Sequence, residues 1–168
     1  MRARVLSTLC VLTVVAGGAW SATIDVTTTS PAVAADGQCS LAEAIINANN
    51  DAPTHGDCAA GDGADVIVLA AEATYVLDEG FVFFYGPNGL PVVITPITIE
   101  GHGSTIERAA TAPAFRLLVV SATGALDLVD ATLVNGDSGP ENCGGALLNA
   151  FGRAHLTRTT VTGSRANN

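Results

Sequence analysis

Cys39-Ser40-Leu41-Ala42-Glu43-Ala44-Ile45-Ile46-Asn47-Ala48-Asn49 is the stretch from which the fold is read. Ser40 followed three residues on by Glu43 is a capping box. The hydroxyl accepts from the backbone N–H of Glu43, and the carboxylate reaches back to the N–H of Ser40. Leu41, Ala44, Ile45 and Ala48 fall at i, i+3, i+4 and i+7, one face of a helix. Asn49-Asn50-Asp51 and then Pro53 supply the stop. The pattern predicts a helix over 40–49. A helix of about ten residues is marginal alone in water, so it must lie on something, with Leu41 and Ile45 facing down. Nearly everything after it reads as short strands between glycine turns.

Cys39 sits just before the cap and Cys58 just beyond the following loop. A bridge between them closes a loop of about 20 residues and stabilises by roughly 3 kcal/mol through lost chain entropy; the alternative is two unrelated buried thiols. The start of the chain favours the bridge. Arg2 and Arg4 precede a short apolar run from Val5 to Val15, and Ala19-Trp20-Ser21 offers small residues where a signal peptidase reads. Residues 1–21 are therefore read as a secretory signal, and the protein as secreted, extracellular or on the cell surface, where disulfides persist. The apolar run is too short to span a membrane. Cys143 is left over among the mature cysteines, either a buried thiol or paired with chain not present here.

The charge pattern narrows the partners. The formal net charge is −9, and the basic residues comprise seven arginines with no lysine. All 16 acidic residues follow the signal segment. This argues against nucleic acid, which needs a basic footprint, and against adhesion to anionic membrane surfaces. Asp51, Asp57, Asp62 and Asp65 with three glycines in one loop are calcium candidates, since hard cations take several oxygen ligands. The spacing matches neither an EF-hand nor a nonapeptide repeat. The bland alternative is a solvated loop held by Cys58.

The strands repeat. Ile24, Val26 and Thr28 alternate with polar residues, as in a half-buried strand. Strand-like segments follow at 65–69, 74–77, 90–94, 97–100, 104–106 and 115–120, with a turn at Gly101-His102-Gly103. Gly124 to Leu133 then aligns with Gly152 to Val161 at an offset of 28 residues, and Ile97-Thr98-Ile99 lies a similar distance before Leu126-Asp127-Leu128. Such a period indicates a solenoid, with alternate Leu, Ile and Val stacked inward. The expected fold is all-β, a right-handed parallel β-helix of short rungs over 65–168. Residues 22–64 are expected to form a cap region in which Ser40, Leu41, Glu43 and Ile45 hold the helix over the open first rung. A β-sandwich is the competing fold. The far end shows no such cap, so either the chain is an N-terminal fragment of a longer repeat protein, the favoured reading, or a partner covers the last rung.

Asp36-Gly37-Gln38-Cys39-Ser40-Leu41-Ala42-Glu43-Ala44-Ile45 resembles the start of the CSLREAI domain, the N-terminal region of many secreted bacterial β-helix proteins. The likeness continues through Ala48-Asn49, Gly63-Ala64-Asp65, Leu90-Pro91, Thr98 to Gly103, Gly144-Gly145-Ala146 and Asn149. Ala42 departs from it, since the family usually has arginine there. The resemblance implies a parallel β-helix and export. The family has no settled activity, so none is implied.

Two functional readings follow. The first is a secreted scaffold, adhesin-like or carbohydrate-binding, without a catalytic site or resident cofactor. The second is a polysaccharide lyase or glycoside hydrolase. A lyase needs a cation against the substrate carboxylate and a base; Asp127, Asp130 and Arg158 are the candidates, brought near one another on adjacent rungs by the offset of 28. Asp127 with Asp130 is the candidate glycosidase pair. The bland alternative places all three on solvent-facing strand and turn positions. His102 is read as a turn residue, His155 as an outward strand residue and Asn149 as a member of an internal asparagine ladder.

Overall fold

The computed structural model describes residues 21–83, 85–140 and 143–166. The segment read as a secretory signal lies, except for its last residue, outside them. The helix forms where its spacing places it, as α1, Leu41–Asn50, with Ser40 as N-cap and both bonds of the capping box present. Asp51 closes it in the left-handed conformation, its N–H donating back to the last turn. α1 is more deeply buried than one apolar stripe requires. Leu41, Ala44, Ile45 and Ala48 reach the core as expected, and Ala42, Glu43 and Asn47 are buried with them. Cys39 and Cys58 are joined, over a sequence separation of 19.

The strands form a parallel solenoid. In the largest sheet β1 (Thr23–Asp25), β2 (Asp65–Val68), β6 (Pro96–Arg108), β8 (Ala125–Val134) and β10 (Arg153–Thr157) lie side by side in that order, all parallel. β6 and β8 are long because each turns a corner and contributes to a second face. There β3 (Thr74–Leu77) pairs with the end of β6, and β11 (Thr160–Thr162) with the end of β8. The third side is formed by β7 (Leu118–Val120) on β9 (Leu147–Asn149), with an isolated bridge from Val93 to Val120. Segment 90–94, expected as a strand, therefore contributes one bridge. β4 (Phe81–Phe83) and β5 (Gly86–Asn88) form a small antiparallel hairpin outside the expected strands.

Register accounts for the core. Ile24, Ile67, Ile99, Leu128 and Leu156 stand in one column, each opposite the next. Tyr75, Ile106, Leu133 and Val161 form a second column on the neighbouring face. Residues between them point outward, as the pleat requires. The first four members of the first column are fully buried, each contributing roughly 1.5–3 kcal/mol. In the last coil Leu156 and Val161 are partly exposed, at 36% and 50%. Layers facing one another would be a sandwich; here one strand lies on the next along a single axis, and the sandwich is excluded.

Between β8 and the strands after it the offset is 28 throughout, Ala125 to Arg153 and Thr132 to Thr160. Between β6 and β8 it slips at the corner, where Gly101, His102 and Gly103 stand against Asp130 alone. His102, Asp130 and Arg158 all take left-handed backbone there, with φ of 48°, 54° and 50°. Gly101 is required, because a Cβ would collide with the Asp130 carbonyl oxygen.

α1 takes the place of further strands in the coil that begins with β1. Its last turn meets the third side directly. The Asn49 amide donates to Val92 O at 2.8 Å and accepts from Ile94 N–H at 3.0 Å, bonding the edge that Val93 turns away from Val120. Thr95 Oγ1 donates to Ala48 O at 3.4 Å. The helix thus covers the front of the core and satisfies part of its edge.

Candidate functional site

The outward side chains of the main sheet make a polar strip. Asp127 and His155 are cross-strand partners on β8 and β10. The His155 imidazole Nδ1 lies 3.4 Å from the Asp127 carboxylate, both solvent-accessible. Thr98 continues the row on β6. The β-pleat places these three on one face, and the 28-residue repeat stacks the last two.

Around the corner Asp130, Arg158, His102 and Glu100 line a shallow hollow of about 140 Å³. His102 Nε2 lies 3.7 Å from the Glu100 carboxylate. The left-handed turns project these residues from the edge between two faces. Beside the strip on its other flank, Asp127, Asn149, Arg153 and His155 line a second hollow of about 270 Å³.

The three residues proposed for catalysis are therefore on one side of the molecule but not in one cleft. Asp130 and Arg158 share the corner hollow, as their spacing predicts. Asp127 lies in the other hollow against His155, the residue that sequence reasoning placed outward without assigning it a partner. Asn149 is exposed on the rim, opposite Val120 in register, and among the described residues no asparagine pairs with it. Its position after two glycines had pointed to the interior.

Three of the four loop aspartates accept backbone hydrogen bonds. Asp57 accepts from the N–H groups of Asp36 and Gly37, both at 2.9 Å. Asp51 accepts from Gly63 N–H at 2.7 Å. Asp65 is buried and accepts from Ala22 and Asp62 through one oxygen. They tie turns together one at a time, and among the described residues no three acidic, histidine or cysteine side chains are grouped to hold a metal.

Two buried arginines carry no signal in the sequence. Arg116 is 1% exposed. It donates to the carbonyls of Tyr85 and Cys143 and to the Asn88 side chain, and burial lowers the pKa of its guanidinium. Arg108 donates to the carbonyls of Asn135, Ala109, Ala112 and Pro113. Both lace loops to the coil and leave the strip to Arg153 and Arg158. Cys143, expected as either a buried thiol or one paired with chain not present here, is exposed rather than buried. Among the described residues no helix is long and apolar enough to cross a membrane.

No family model, curated protein or solved structure matches the chain.

Proposed function

We propose that this protein acts outside the cytoplasm as a non-enzymatic β-solenoid scaffold that presents a carbohydrate-binding face to polysaccharide or to another cell-surface component. The observation that carries the reading is the strip of Thr98, Asp127 and His155 flanked by two shallow hollows that charged side chains help to line. It offers hydrogen-bond donors and acceptors in a row along a rigid sheet, as a polymer of hydroxyl groups requires. Export is supported by the basic and apolar N-terminal pattern and by the Cys39–Cys58 bridge. The resemblance to CSLREAI-domain proteins of bacteria points the same way. Asp127 and Asp130, the expected glycosidase pair, line different hollows, which favours binding over hydrolysis by that pair.

The lyase reading retains one specific support, the shared hollow of Asp130 and Arg158. One experiment separates the two. The purified chain is incubated with neutral and with uronate-containing polysaccharides, and both retention and cleavage are followed. Retention without new reducing ends or unsaturated uronate absorbance is expected. Cleavage that is lost in Arg158→Ala would overturn the scaffold reading.

A further inference from the structure

Phe151 is 94% exposed, and its backbone is left-handed, with φ of 68°. A bulky residue in that conformation is strained, and a ring in solvent recovers nothing through burial. Its neighbour Gly152 is dictated by space, because a Cβ there would collide with Ser121 O. No such constraint selects phenylalanine at 151; for folding alone, glycine or asparagine would serve better.

The same segment borders the larger hollow. Asn149 and Gly152, on either side of Phe151 and its neighbour Ala150, line it. Its polar groups are the Asp127 carboxylate, the Arg153 guanidinium, the His155 imidazole and the Asn149 amide, and Ala154 supplies apolar surface. Phe151 is not itself in the lining, but it is bonded to Gly152, which is, and an exposed ring one residue from these donors and acceptors suits a ligand with one apolar face and a hydroxyl rim.

We propose that Phe151 and this hollow form a subsite for one pyranose unit of a neutral polysaccharide. The proposal rests on the carbohydrate-binding reading and narrows it. The ring stacks on the C–H face of the sugar. Asp127 accepts from hydroxyls, while Arg153 and Asn149 donate to hydroxyl oxygens. The volume, about 270 Å³, suits a single sugar ring, with the polymer leaving through the open mouth. A neutral sugar is favoured over a uronate because Asp127 stands within the hollow and the whole chain is acidic, with a pI near 4.4.

Native affinity electrophoresis of the full chain tests this, with mixed-linkage β-glucan, polygalacturonate or no polymer in the gel. The β-glucan retards the parent protein. Phe151→Gly loses about tenfold or more in affinity, the worth of one lost stacking contact. The same variant melts at an equal or higher temperature, because glycine accepts the left-handed backbone. Phe151→Trp keeps the retardation. If Phe151→Gly is retarded like the parent, the subsite is wrong. Retardation by polygalacturonate alone overturns the neutral-sugar assignment and leaves carbohydrate binding standing. Retardation by neither polymer overturns both.

Discussion

Asn47 shows how much one side chain organises. It is fully buried in α1, where its amide donates to the carbonyls of His55 and Ala59, both at 3.0 Å, and accepts from His55 N–H at 2.8 Å. Glu43 does the same at the other end, accepting from Ala34 and Ser40 N–H groups at 2.9 Å. Asn47→Ala leaves buried loop groups without partners and should cost about 2–4 kcal/mol, at roughly 1 kcal/mol or more per orphaned group. Urea unfolding should show it, together with faster proteolysis near residues 55–59. Tyr75 gives a pH signature. Its side chain is 2% exposed, and burial raises its pKa above the ordinary 10.0, although the N–H of Ala70 donating to the phenolic oxygen works the other way. The folded state therefore holds the proton more tightly than the unfolded chain. The stability this provides is complete below about pH 10 and is lost as pH rises through the folded-state value. Alkaline denaturation should begin at higher pH in Tyr75→Phe; an unchanged profile would show that Tyr75 does not set it. The bond from Ser40 N–H to Glu43 was legible as half of the capping box, but the burial of Glu43 and the loop-holding role of Asn47 were not. Asn and Glu on a helix ordinarily read as solvated, and only the loops folded back onto α1 make them interior.

At the scale of the element, α1 and its bridge form a lid. Leu41 and Ile45 are 3% and 0% exposed against the core of the first coils. Replacing both with Asp should lower stability by about 5 kcal/mol or more, since two buried aliphatics are lost and two carboxylates enter apolar surroundings. A thermal melt unchanged from the parent would show that α1 does not cover the core. Reducing the Cys39–Cys58 bridge should cost about 3 kcal/mol, from the entropy of the loop it closes, measured as a shift in the urea midpoint with and without reductant. The helix was legible because cap, face and stop agreed. The hairpin of β4 and β5 was not, because its segment lies between strongly apolar runs and lacks their alternation. Segment 90–94 misled in the opposite sense. Its β-branched residues suit a strand, but only Val93 finds a backbone partner across the coil, while Asn49 of α1 takes the bonds on either side.

At the scale of the molecule, the 28-residue offset places the polar strip as well as the core. It sets Leu128 under Leu156 inside and Asp127 beside His155 outside. Half of the candidate site was therefore readable as a period, including the meeting of Asp130 with Arg158 at the corner. The other half depended on left-handed turns and on two arginines turned inward, which no spacing reports. The central claim is that consecutive coils stack in parallel along one axis, and backbone NOEs test it most directly. Cross-strand contacts between amide and α protons should link 97–100 to 125–129 and 125–129 to 153–157, with Ile99, Leu128 and Leu156 in one row. Close α-proton pairs characteristic of antiparallel strands, or no contacts among these three segments, would contradict it.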